Sequence, residues 1–106
     1  MKPLSPDEEL DDLISSSPCC LLQFGDETCG PCHAIRSRLS QWLESHPDVT
    51  TRYISVSEYT EEAAQMGVFT VPTVRVYIEG KLAADESGYF SQDRMLDRVD
   101  RYLQMM

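Results

Sequence analysis

Apolar positions follow two periods along this chain, a helical one of about 3.6 residues and a short-run one typical of strands, and the two alternate from end to end. Leu10, Leu13 and Ile14 make the first helical stripe. Ahead of it, Ser5-Pro6-Asp7-Glu8 offers Ser at an N-cap, Pro at the first helical position and Glu three residues after the Ser, so a helix is expected to begin there. Ser15-Ser16-Ser17-Pro18 stops it, and Cys19 to Phe24 follows as a run apolar on both faces, the pattern of a central buried strand. Ile35, Leu39, Trp42 and Leu43 recur at helical spacing until His46-Pro47 closes the stretch. Thr51 to Val56 is rich in β-branched and aromatic residues; strand, helix, strand in one sheet implies a right-handed parallel crossover. A short helix is expected from Glu61 to Met66, with Gly67 as its C-terminal cap. Thr73 to Ile78 and Leu82 to Glu86 read as strands of a tight antiparallel hairpin turning at Glu79-Gly80. Ser91 caps a last helix that turns Met95, Leu96, Val99 and Leu103 to the sheet and pairs Asp97 with Arg101 outside.

No repeat or linker interrupts this succession, and 106 residues with 42% hydrophobic and 25% charged side chains suit one α/β domain, 1 to 106. The longest apolar run, Cys19 to Leu22, falls far short of the roughly twenty residues a membrane span needs. The net charge of −9 argues against nucleic acid and against an anionic membrane surface as partners, because both are held by excess Lys and Arg. Met1 to Glu9 lacks the pattern of an export signal, so a cytoplasmic location is expected. In that setting four cysteines point to chemistry rather than to structural staples.

Cys29-Gly30-Pro31-Cys32 lies where a loop feeds a helix N-terminus, since Pro31 pre-sets φ and gives up a donor that is unpaired there anyway. Free N–H groups and the helix dipole favour an anion, so Cys29 is expected to be the nucleophile. Cys32, about one turn further on, is near enough to form a disulfide and is expected to be shielded. Three other readings compete. The two cysteines can be inert core residues; Cys29 to His33 also fits C-x-x-C-H, a haem attachment pattern with His33 as axial ligand, although attachment needs an export route and Gly-Pro is better explained by the helix start. Cys19, Cys20, Cys29 and Cys32 together match a zinc or iron–sulfur site by count. Adjacent cysteines on a strand point to opposite faces, however, which disfavours one tetrahedral site, and no metal is expected. Cys19 and Cys20 read as small apolar residues packed on the two sides of the strand.

An apolar strand, then Cys29-Gly30-Pro31-Cys32, helix, strand and helix, then Thr70-Val71-Pro72-Thr73 leading into a hairpin with Gly88 after it, resembles the thioredoxin family over nearly the whole chain. The resemblance implies the thioredoxin fold, an α/β architecture with a central mixed sheet of four strands, or five if the segment before Ser5 adds one. It implies a protein disulfide oxidoreductase without cofactor, in which Cys29 attacks a substrate disulfide and Cys32 resolves the mixed disulfide. Pro72 is then expected to be cis beside the cysteines, with the Val71 backbone pairing to an extended substrate segment and Thr28, Phe69, Thr70 and Gly88 around the same groove. Protein disulfides are the implied substrates, a thioredoxin reductase the implied electron donor, and a monomer the implied state.

The chain departs from that family in places that bear on rate. Thr28 replaces the Trp usual before the first active-site cysteine, and Phe69 is expected to replace part of its apolar surface. Gln23 stands where the family has a buried Asp taken to assist proton transfer at the inner cysteine, and an amide is no base at neutral pH. Slower resolution by Cys32 is expected. Ser37 replaces a helix-kinking Pro, and Asp26 and Glu27 oppose the helix dipole while His33 and Arg36 add donors. These departures keep two further readings in play: a partner-binding module with slow or regulatory redox turnover, and a thiol oxidant or disulfide isomerase.

Overall fold

Strand β1, Cys19–Gly25, is buried at all seven positions, and the rest of the molecule is built around it. In the computed structural model, which describes residues 1–106, the elements run α1 (Leu10–Ser16), β1, α2 (Gly30–Glu44), β2 (Thr50–Ser55), α3 (Thr60–Gln65), β3 (Thr73–Ile78), β4 (Lys81–Ser87) and α4 (Gln92–Gln104). The sheet order is β2-β1-β3-β4, with β1 and β2 parallel and the other two pairings antiparallel. This is the expected four-stranded mixed sheet, with the crossover through α2 and the hairpin of β3 and β4. Glu79 and Gly80 both take positive φ, 52° and 80°, which is the backbone a two-residue hairpin turn requires.

Because β1 is apolar on both faces, the sheet carries two cores. On one face Cys19, Leu21, Val74 and Val76 meet Ile35, Leu39 and Trp42 of α2 and Met95, Leu96 and Val99 of α4. On the other, Cys20, Leu22, Phe24 and Ile54 meet Leu4, Leu10, Ile14, Ala63 and Val68. Fully burying a side chain such as Leu39 or Phe24 contributes about 1.5–3 kcal/mol, so both layers are needed to hold β1 in place. Ser91 caps α4 by accepting the Arg94 N–H at 3.2 Å, and Gly67, with φ of 75°, lies just past α3 as expected.

Three local expectations are corrected. Helix α1 begins at Leu10 and not at Ser5, with Glu9 as its N-cap. Glu8 does make half of the expected capping box, accepting the Ser5 N–H at 2.9 Å, but its carboxylate also takes Arg52 of β2 at 2.6 Å, which holds residues 5 to 8 as a turn tied to the sheet. The segment before Ser5 gives no fifth strand: it makes one parallel bridge, Pro3 to Tyr53, with Leu4 N–H donating to Tyr53 C=O at 2.9 Å. Asp97 and Arg101 form no ion pair. A lone exposed pair gains too little to fix two long side chains, and the charges of α4 bind across elements instead, Arg98 to Glu86 at 3.0 Å and Asp93 to Arg38 at 2.8 Å.

Candidate active site

The C-terminal end of β1 delivers the chain to the site through Asp26, Glu27 and Thr28, and Cys29 is the N-cap of α2. Its backbone is extended (φ −89°, ψ 100°) and no side chain caps the helix, so the sulfur stands at the end of α2 where the helix dipole favours an anion. Cys29 and Cys32 are joined by a disulfide with Cα atoms 5.3 Å apart. Cys29 is partly exposed, whereas Cys32 is wholly buried beneath it. Thr28, Gly30 and Pro31 are exposed around the outer sulfur. That asymmetry is what dithiol exchange needs: one sulfur open to attack and one reachable only by its neighbour.

The Val71–Pro72 peptide is cis, as the resemblance implies, and Pro72 is buried. Its carbonyl accepts the Gly88 N–H at 3.0 Å, which ties the start of β3 to the end of β4, and Thr73 Oγ1 donates to Thr70 C=O at 2.8 Å. Phe69 is 81% exposed and shares with Val71, Val68 and Ala63 an apolar cleft of about 250 Å³. Tyr89, next to Gly88, is 99% exposed and was not singled out by the sequence, where nothing marks it off from a core aromatic.

Behind the disulfide stands one buried polar side chain. Gln23 is fully buried; its Nε2 donates to the Cys32 carbonyl at 2.9 Å, and its Oε1 has no partner in the protein. Gly25 and Tyr53 complete this side, and neither was legible as a site residue. A Cβ on Gly25 would run into the Tyr53 hydroxyl and lie 3.1 Å from Cys32 Sγ, so a glycine in an otherwise bulky strand was the one signal available. The Arg36 guanidinium stacks over the Tyr53 ring at 4.4 Å and donates to Met1 C=O at 2.9 Å. Burial raises the Tyr53 pKa above its ordinary value of 10.0, with Arg36 pulling the other way and Asp26 and Glu27 adding to the rise. His33 donates from Nε2 to the Glu27 carbonyl at 3.4 Å.

The remaining cysteines are drawn away from this chemistry. Cys19 and Cys20 enter the two cores on opposite faces of β1, and burial pushes both thiols up to about 11, so neither supplies a thiolate at neutral pH.

The sequence profile described as Thioredoxin matches residues 3–101. The chain belongs to the thioredoxin family. It is similar to a thioredoxin of Alicyclobacillus acidocaldarius, 26% identical over 99 residues that cover 92% of this chain and 94% of that one. A probable thioredoxin-2 of Caenorhabditis elegans is 28% identical over 93% of this chain and 69% of its own length. Among solved structures, a mutant thioredoxin from Halobacterium salinarum superposes with a TM-score of 0.79 at 28% identity, covering 95% of this chain and 90% of that one. The oxidised thioredoxin of Plasmodium falciparum, at 22% identity and a TM-score of 0.81 over 96% and 97% of the two chains, shares the fold. Membership of the thioredoxin family together with the Cys29–Cys32 pair makes this protein a thiol–disulfide oxidoreductase.

Proposed function

We propose that the protein reduces disulfides of other proteins, with Cys29 as the attacking thiolate and Cys32 as the resolving one. The observation that carries this reading is the burial contrast within the disulfide: Cys29 lies open at the tip of α2, and Cys32 is sealed below it. The Cys29 thiolate attacks one sulfur of the substrate disulfide and the other leaves; Cys32 then attacks Cys29 Sγ, releases the second substrate thiol and closes the pair. The Val71 backbone and the exposed ring of Phe69 present an edge and an apolar contact for an extended substrate segment. A thioredoxin reductase then returns electrons to the pair. The free thiols of Cys19 and Cys20 suit a reducing compartment, and the cytoplasm is the location proposed, with the protein acting as a monomer.

Titrating the Cys29–Cys32 couple in dithiothreitol and glutathione buffers, with alkylated cysteines scored by mass, tests the direction of transfer. One two-electron couple well below the glutathione range is expected. A potential far above it means oxidation or isomerisation, and a pair that never closes means that the fold serves to hold a partner.

A further inference from the structure

With Gln23 in place, no carboxylate stands behind the inner cysteine, yet resolution requires Cys32 to become a thiolate in a fully buried position. Burial alone disfavours the charged form, so some group must stabilise it. Gln23 directs an Nε2 hydrogen bond to the Cys32 carbonyl and not to its sulfur, and its Oε1 cannot donate.

Gly25 opens the alternative. The position its missing Cβ would occupy lies 3.1 Å from Cys32 Sγ and 2.8 Å from Tyr53 Cζ, with the Tyr53 hydroxyl nearer still. The phenol and the inner sulfur therefore flank the same point, over a residue with no side chain to separate them. Register explains why: Tyr53 pairs with Gln23 across β1 and β2, on the sheet face that α2 covers. Arg36 holds the ring from above at 4.4 Å. Tyr53 also lines a cleft of about 170 Å³ together with His33, Arg36 and Glu58.

We propose that Tyr53 is the group that stabilises the Cys32 thiolate, its hydroxyl donating a hydrogen bond across the space left by Gly25. In the resolving step Cys32 loses its proton, and the net transfer is of one proton from the Cys32 thiol to the departing substrate thiol. The electron pair on its sulfur forms the new bond to Cys29 Sγ, the bond from Cys29 to the substrate sulfur breaks, and the substrate leaves as a thiolate that takes up the proton. Tyr53 keeps its own proton throughout, which its raised pKa ensures at neutral pH. The charged and titratable groups that face Tyr53 are Arg36 and His33 from α2, Asp26 and Glu27 from the preceding loop, and Glu58 and Tyr59 after β2.

The inference rests on the proposed order of attack, and one assay separates the two. Dithiobis(nitrobenzoate) releases one coloured thiolate when Cys29 attacks and a second when Cys32 resolves, so stopped-flow traces show two phases. Cys32→Ser is expected to abolish only the second; loss of the first instead overturns the order of attack, not the role of Tyr53. Tyr53→Phe keeps the ring and its Arg36 stack and removes only the hydroxyl. Its first phase is expected to match the parent, which also reports an intact fold, while the second slows about tenfold at neutral pH. A hydrogen bond to a charged group has that magnitude. The pH midpoint of the second phase rises by about one unit, and the rates converge at high pH, where Cys32 ionises without help. Gly25→Ala, which leaves the hydroxyl but forces it away from the sulfur, is expected to shift the midpoint the same way. An unchanged second phase in Tyr53→Phe overturns the proposal, as does slowing by the same factor at every pH, because that is the signature of a purely structural role.

Discussion

Replacing Gln23 by Met is expected to stabilise the oxidised protein, against the usual cost of altering a buried residue. Gln23 is fully buried, with one hydrogen bond at 2.9 Å to the Cys32 carbonyl and an Oε1 without a protein partner. Met has nearly the same length and shape and no polar atom to satisfy, so packing against β2 and β3 is retained. Losing the Nε2 bond costs about 1 kcal/mol, and the Cys32 carbonyl keeps the helical N–H four residues on. Removing the unpaired Oε1 from an apolar interior regains about 1–3 kcal/mol. The balance is a gain of about 1 kcal/mol, which for a domain of this size corresponds to about 5 °C in Tm. Denaturant unfolding followed by the fluorescence of Trp42, the chain's one tryptophan and a buried one, measures it directly. A loss exceeding about 1 kcal/mol refutes the reasoning, because it means that Oε1 is satisfied and that the Gln23 amide is integral to the core.

The other expectations concern surface and substrate. Glu79→Asn should gain about 0.5 kcal/mol in the same unfolding assay, since Glu79 holds a positive φ of 52° that Asn tolerates better; a loss would show that the Glu79 side chain has a role beyond the turn. Arg52 holds the Glu8 carboxyl down at about 2 from an ordinary value of 4.5, with the Ser5 N–H assisting. A carboxylate with a depressed folded-state pKa stabilises fully above its unfolded value and loses that contribution as pH falls through the folded one, here between 4.5 and about 2. The stability difference between the parent and Glu8→Gln should therefore be flat above pH ~5 and close toward about pH 2; a difference independent of pH across that window contradicts the assignment. Phe69→Ala should raise KM for protein disulfides about fivefold, the effect of truncating one contact worth about 1 kcal/mol, and leave small disulfides unaffected. An unchanged KM for proteins would remove Phe69 from the substrate surface.

Much of this architecture is legible in short stretches of chain because its causes are local. Cys19 to Phe24 declares a buried strand by being apolar at successive positions, Glu79-Gly80 declares a turn, and Pro31 declares a helix start that brings Cys29 to the N-cap. The dithiol and its asymmetry follow from such local signals, whereas the groove at Pro72 was expected from the family resemblance alone. What the chain could not show depends on partners distant in sequence. The start of α1 moved because Glu8 binds Arg52, forty-four residues on, in preference to completing a helical cap. Asp97 and Arg101 stand at the right spacing, yet the charges of α4 find partners on α2 and β4. Tyr53 reads as an ordinary strand aromatic until parallel pairing sets it beside Gln23 and against Gly25. Periodicity and capping are properties of neighbouring residues, so the sequence by itself determined the elements and the reactive pair. Register and packing are set only when β2 docks on β1, and that docking decided which side chain stands behind the inner sulfur.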